Sequence, residues 1–303
     1  MGALMDVELS RADLGRIGDK LGAGGQAVVY RLPDLRLPDD RRELAYKEYR
    51  PGHAPPVGMK AIVSKRTGLT ATNRAKLDSI AVWPVRAVRD GDRNCGVVLP
   101  VIPAEFFQSR RLPGSGASSR DPREVQNLFV APSLAERVGM PLVPLKHRYA
   151  ICRDLADALA FLHRHGVVFG DINAKNVLFR KATRATVMLV DCDAVRFRGS
   201  AAVTRQLNAP DWEPPEGGGV LTEATDLFKL GLAVLRVLNP GAQASTSRDP
   251  RRADPLLTIG KGRELLRAAL SADPRQRPAA VQWRNYFADL AGMEPTELLR
   301  RLS

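Results

Sequence analysis

The stretch Gly166-Val-Val-Phe-Gly-Asp-Ile-Asn-Ala-Lys-Asn-Val-Leu-Phe179 constrains this chain more than any other. A short apolar run, Val167 to Phe169, delivers the backbone to Asp171. A polar turn follows, and Asn176 stands five residues after that aspartate. The chain returns at once to apolar residues (Val177, Leu178, Phe179), and a second apolar run, Val187 to Val190, ends at Asp191. Short apolar runs bounded by turn residues read as strands. Two such strands would present Asp171, Asn176 and Asp191 at neighbouring loop ends. One carboxylate that can orient a hydroxyl proton, beside an amide and a second carboxylate as hard oxygen donors for Mg²⁺, suits phosphoryl transfer. A loop of turn-forming Asp and Asn residues has the same spelling, so the rest of the chain decides between the two.

At 303 residues and 44% apolar, the chain can bury a large core, as one two-lobed unit or two domains. No apolar run approaches the ~20 residues of a membrane span; Arg236 interrupts the best one, Gly231 to Leu238. Asp6, Glu8 and Asp13 argue against a signal peptide in Met1–Asp19. Cys95, Cys152 and Cys192 make neither a metal spacing nor a disulfide framework, which fits a reducing cytoplasm. The four histidines form no ligand cluster, and His163 and His165 read as the solvated end of a helix. The net charge of +13 is largely arginine and favours acidic partners. Because basic and aromatic residues do not interleave, nucleic acid is not the expected partner. A protein substrate, acidic or held in a signalling complex, is.

Taken in order, the first motif is Lys20-Leu-Gly-Ala-Gly-Gly-Gln-Ala-Val-Val-Tyr-Arg31. Glycines 22, 24 and 25 allow close approach of a nucleotide to backbone N–H groups. Ala27 stands where a third glycine would. Val28-Val-Tyr30 continues as a strand, which excludes the dinucleotide fingerprint whose glycines open a helix. Leu44-Ala-Tyr-Lys-Glu-Tyr49 reads as the next strand, with Lys47 inside it. Helical stretches follow over Val57–Gly68 and Thr70–Ile80, then two strands, Ala81–Val88 and Cys95–Ile102, around a charged turn. Gln108–Arg123, rich in Arg, Ser, Gly and Pro, reads as a solvated surface loop. Lys146–His165 is the most legible helix: Cys152, Leu155, Leu159 and Leu162 recur at three- and four-residue spacing, and Gly166 supplies the stop. The closing Glu297–Ser303 is helical in pattern, and further domains beyond it are an expectation.

Downstream lie Ala209-Pro-Asp-Trp-Glu-Pro-Pro-Glu216, Thr225-Asp-Leu-Phe-Lys-Leu-Gly-Leu-Ala-Val-Leu235 and Ala272-Asp-Pro-Arg-Gln-Arg-Pro278. Together with the Gly-rich hairpin, the strand lysine and the Asp171 stretch, they resemble the motifs of the protein kinase family in order and spacing. The closest form is a bacterial, eukaryotic-like Ser/Thr kinase lacking the usual Arg before its catalytic Asp. The resemblance implies an α+β, two-lobed fold. Residues 1–101 would form an antiparallel five-stranded sheet plus helix, and residues 102–303 a mostly helical lobe.

It also implies ATP and Mg²⁺ as cofactors, with Gly22, Gly24 and Gly25 over the phosphates and Lys47 on two of them. Leu99 would back the adenine pocket, Pro100 and Val101 would begin the hinge that lends backbone groups to the base edge, and Leu21, Val29, Ala45 and Leu178 would also contact the nucleotide. Asn176 and Asp191 would hold the metal. Asp171 would orient the acceptor hydroxyl, with Asn173 and Lys175 beside it. Asp78, the only acid in the two helical stretches, would stand in for the helix glutamate that pairs with the lysine. Glu216 would pair with Arg277, and Asp226 would anchor the Asp171 loop from below. Ser200 and Thr204 are candidate autophosphorylation sites.

The departures are Phe169-Gly170 for His-Arg, Asn173 for a lysine, and Asp191-Cys192-Asp193 for Asp-Phe-Gly. They keep two other readings in view: a pseudokinase acting as a nucleotide- or protein-binding module, and a small-molecule phosphotransferase.

Overall fold

The computed structural model describes residues 7–54, 58–111, 118–140, 142–180, 186–199, 209, 211–217, 219–252, 257 and 260–292. Ser200, Thr204, Pro210 and the 297–303 segment lie outside them. The chain divides into two compact units, Met1–Pro103 with Leu189–Ala194, and Ala104–Met188 with Val195–Ser303.

The first unit is a sheet with two helices. Its elements are β1 (Glu8–Ser10), β2 (Lys20–Ala23), β3 (Ala27–Leu32), β4 (Leu44–Tyr49), α1 (Met59–Thr67), α2 (Ala71–Ile80), β5 (Arg86–Asp90) and β6 (Arg93–Pro100). Strand order is β1-β5-β6-β4-β3-β2. The five expected antiparallel strands are present, and β1 adds a sixth, parallel to β5 with Glu8 opposite Ala87. Three residues are too few for an alternation signal, so this part of the lead-in reads only as polar in sequence. Ala81 starts no regular strand; it bridges Leu189, and Val82 N donates to Leu189 O at 2.8 Å, which ties the 189–194 segment to this unit.

Alternation along β4 decides which side chains meet. Leu44 and Tyr46 enter a core with Leu14, Leu32, Leu37, Val85, Val88 and Val98. Ala45, Lys47 and Tyr49 point to the other face. The two helices are held by buried charge as well as apolar contact. Arg66, at the end of α1, is 2% exposed and reaches both Asp78 oxygens at 2.8 Å and Asp40 at 3.2 Å. Arg86 pairs with Asp39 at 2.5 Å. Burial works against the Asp39 and Asp40 carboxylates, but their arginine partners hold both below the usual range.

The second unit contains β7 (Phe107–Arg111), β8 (Ser118–Pro122), α3 (Pro132–Arg137), α4 (Leu145–Arg164), β9 (Val167–Val168), β10 (Val177–Arg180), β11 (Thr186–Leu189, whose last residue falls in the first unit), β12 (Arg196–Phe197), α5 (Glu223–Leu238), α6 (Gly260–Ala269) and α7 (Ala280–Gly292). The Gln108–Arg123 expectation is corrected here. Its flanks pair as an antiparallel hairpin from Phe107↔Pro122 to Arg111↔Ser118, with the Arg120 guanidinium over the Phe107 ring. Short polar strands carry no apolar period to announce them.

Helix α5 is buried from Thr225 to Leu238 and is apolar on nearly every side, as a helix central to a core must be. Helix α4 packs on α7 with Tyr149 stacked on Phe287, which in turn stacks on Trp283 of its own helix. Arg277 grips Glu216 with both guanidinium nitrogens, at 2.7 and 2.6 Å. Burial opposes the Glu216 charge, yet these hydrogen bonds hold its carboxyl below the ordinary range. Arg277 is the buried member, at 6% exposure, so loss of Glu216 would leave a buried guanidinium without its carboxylate.

Gly96 on β6 has no room for a side chain: an added Cβ would sit 2.3 Å from Lys47 O and 2.4 Å from Tyr46 Cε2. Gly96→Ala is therefore expected to destabilise the protein by about 1–3 kcal/mol, the usual range for overpacking. Urea unfolding monitored by tryptophan fluorescence checks this, and an unchanged midpoint would show that the β4–β6 approach is not tight.

Candidate active site

The first unit contributes a sheet face and a hairpin. Val29 lies directly opposite Lys47, and Ala45 directly opposite Leu99, so these four side chains share one face of the sheet. Val101, two residues past Leu99, stays in register through its N–H to Glu43 O at 2.8 Å. The β2–β3 hairpin closes tightly, with Gly24 N donating to Ala27 O at 2.9 Å, and Leu21 is 41% exposed beside it. At Gly22, Gly24 and Gly25 an added Cβ would meet nothing within 4 Å, and none has a positive φ. Nothing in the fold requires glycine at these positions. What glycine leaves there is open space beside backbone N–H groups, a cradle that side chains would fill.

Lys47 Nζ lies 2.9 Å from Asp191 Oδ1 and 2.7 Å from Asp193 Oδ1. Tyr49 Oη donates to the second Asp193 oxygen at 2.7 Å. Burial alone would lower the Lys47 pKa; the two carboxylates outweigh it and raise the pKa. Burial and the Asp193 charge push the Tyr49 hydroxyl well above its usual range. Asp191 has φ 57°, a left-handed conformation that is unusual for aspartate and costs about 1–3 kcal/mol.

One expectation is overturned. Asp78 is not the partner of Lys47, because both its oxygens are taken by Arg66 and one also by Arg42 at 3.2 Å. A carboxylate beside two guanidiniums has no incentive to turn toward an ammonium elsewhere.

The second unit contributes the Asp171 turn. Asn173 Nδ2 donates to Asp171 Oδ1 at 3.1 Å, and Asn176 Nδ2 donates to Asp171 Oδ2 at 2.8 Å. Asn173 Oδ1 accepts from the backbone N–H of Lys175 and of Asn176, closing the turn on itself, while the Lys175 side chain faces solvent. With its Nδ2 committed to Asp171, Asn176 offers Oδ1 as its remaining side-chain acceptor. Leu178 is buried on β10.

The turn is pinned from below by groups on α5. Asp226, fully buried, accepts from Phe169 N at 2.8 Å, Gly170 N at 2.7 Å and His163 Nε2 at 2.9 Å. Lys229 Nζ, also fully buried, donates to Gly170 O at 2.7 Å. Burial lowers the Lys229 pKa, with Asp171, Asp226 and Glu213 opposing. His163 thus corrects the solvated-end expectation: it is 9% exposed and bonded to Asp226. His163, Lys229 and Tyr49 are site residues that sequence reasoning passed over. A charged residue inside an otherwise apolar helix was the available signal for Lys229.

The first unit holds a glycine cradle and a strand lysine paired with aspartates; the second holds a carboxylate oriented by amides on a pinned turn. These parts belong to a class of phosphate-handling enzymes and their inactive relatives. Residues 127–282 match the protein tyrosine and serine/threonine kinase family, and the chain belongs to that family. It is 24% identical over 257 residues to protein kinase YegI of Escherichia coli K12, covering 82% of this chain and 34% of that protein. It is 30% identical over 165 residues to the serine/threonine-protein kinase PkaA of Streptomyces coelicolor, covering 52% of this chain and 28% of that one. The chain therefore spans about a third of the curated relatives it matches. Among the described residues, no helix is long and apolar enough to cross a membrane.

Asp226→Asn replaces one acceptor oxygen with an NH₂ group that faces N–H donors. Each charge-assisted bond lost costs about 1.5–3 kcal/mol. Hydrogen exchange at the Phe169 and Gly170 amides should accelerate accordingly. Unchanged protection at both would show that the loop is held by something else.

Proposed function

We propose that this chain is an ATP- and Mg²⁺-dependent protein kinase acting on Ser/Thr hydroxyls. Residues 1–101 would serve as the nucleotide-gripping lobe, and 102–303 would carry the transfer machinery. The observation that carries the reading is Asp171: each carboxylate oxygen is engaged by a different amide, so the group is aimed before any substrate arrives. A pre-aimed carboxylate can orient an acceptor hydroxyl and receive its proton without reorganising. The open cradle at Gly22, Gly24 and Gly25 fits a triphosphate, and Lys47 fits as its cation. Leu21, Val29, Ala45, Leu99, Val101 and Leu178 are assigned to the base.

Asn176 and Asp191 are assigned to Mg²⁺. Both offer hard oxygens, and the Asp191 side chain is 53% exposed and so open to a cation. The bound metal would neutralise charge on the phosphates. Lys175 faces solvent on the Asp171 turn and is assigned to the incoming phosphate, with Asn173 holding the turn in shape. The net charge of +13 favours an acidic protein substrate in the cytoplasm, and Ser200 and Thr204 are proposed autophosphorylation sites.

A pseudokinase is the second reading. It is favoured by one observation: the metal-ligand candidate Asp191 is bonded to Lys47. Transfer of ³²P from γ-labelled ATP to the protein itself or to added proteins separates the two. The parent should transfer label, and Asp171→Asn should slow transfer by about 10²–10⁴-fold with nucleotide affinity little changed. Nucleotide binding without transfer by the parent would favour the second reading. Undiminished transfer by Asp171→Asn would remove Asp171 from the chemistry.

A further inference from the structure

We propose that Asp193 is the positioning residue for Lys47, taking the place of an acid on a neighbouring helix, and that Tyr49 is its clamp. The inference deepens the kinase reading above and rests on it.

A largely buried ammonium needs a carboxylate partner that will not drift. Three acids of the first unit come into question. Asp78 is absorbed by Arg66 and Arg42, as described. Asp191 touches Lys47, but its side chain is 53% exposed, and solvent-exposed pairs contribute little. Asp193 is different: its side chain is 6% exposed, its Oδ1 is 2.7 Å from Lys47 Nζ, and its Oδ2 takes the Tyr49 hydroxyl at 2.7 Å. Lys47 and Tyr49 are two residues apart on β4, hence on one face of one strand. Both Asp193 oxygens are therefore tied to the same rigid element. The carboxylate becomes an extension of the sheet, with Tyr49 Oη further braced against Met59 Sδ at 3.4 Å.

The division of labour follows from exposure. A lysine ammonium has three donors. Asp193 holds one permanently, and Asp191 borrows another from the solvent side. Were a divalent cation held by Asp191, Lys47 would keep its place through Asp193, and the one donor freed from Asp191 would be available to a phosphate oxygen. The aspartate at position 193, where the family's flexible glycine stands, and the missing helix glutamate are then one substitution viewed from two ends.

The test compares Lys47→Met, Asp193→Asn, Tyr49→Phe, Asp78→Asn and the Lys47→Met/Asp193→Asn double variant. Affinity for a non-hydrolysable ATP analogue is measured by calorimetry with and without Mg²⁺, and thermal unfolding without nucleotide. Asp193→Asn should weaken binding roughly tenfold, about the loss of one charge-assisted hydrogen bond. The double variant should bind no more weakly than Lys47→Met alone. Asp78→Asn should lower the unfolding midpoint and leave affinity unchanged. Wild-type affinity in Asp193→Asn, or additive losses in the double variant, would overturn the assignment. Should Asp193→Asn fail to fold, Tyr49→Phe decides, since a clamp must weaken binding when removed. If the parent itself binds no nucleotide, the kinase reading fails. The unfolding midpoints then still judge the inference: coupled losses at positions 47 and 193 support it, and additive ones overturn it.

Discussion

The buried carboxylate of Asp226 is the constraint on which the second unit is arranged. It receives two consecutive backbone N–H groups and an imidazole while fully buried. Burying an unpaired carboxylate is prohibitive, so Phe169, Gly170 and His163 must come to it. Gly170 answers with φ 76°, and Lys229 takes its carbonyl from one turn further along α5. The backbone leading into Asp171 is thereby fixed at both its donor and acceptor groups. The orientation of the Asp171 carboxylate by Asn173 and Asn176 is meaningful only on a backbone already held in this way.

Arginine plays a part that composition does not suggest. Five arginines, Arg66, Arg86, Arg148, Arg236 and Arg277, are buried among the described residues. Arg277 clamps Glu216, Arg66 and Arg86 tie α1 and β5 to Asp39, Asp40 and Asp78, and Arg148 donates to the carbonyls of Leu128, Val143 and Val237. Arg236 lies 4.5 Å over the Trp212 ring, and burial, with Arg248 nearby, brings its pKa down to about 10. Part of the basic excess is therefore internal scaffolding. The same use of arginine removes Asp78 from the lysine's reach, which is why Lys47 depends on the Asp191–Asp193 segment.

Much of the chain was legible because its signals are local. Helix α4 announced itself through Cys152, Leu155, Leu159 and Leu162, and Gly166 marks its end with φ 69°. Leu44–Tyr49 likewise read as a strand carrying Lys47, as β4 does. The hairpin of β7 and β8 was not legible, because its residues are almost all polar and offer no apolar alternation. The partners of Asp78 and His163 were equally hidden: an acid or an imidazole in sequence does not say which distant charge will reach it first.

The sequence by itself determined the order of motifs, the periods of the helices and strands, and hence the family. Those properties reside in residue type and spacing, which no folding event alters. Tertiary structure alone decided the charge pairings: Arg66 claiming Asp78, Asp193 and Tyr49 enclosing Lys47, and Asp226 gathering the Phe169–Gly170 backbone. Such pairings depend on which groups lose their water together, and that is settled only when segments far apart in the chain are packed side by side.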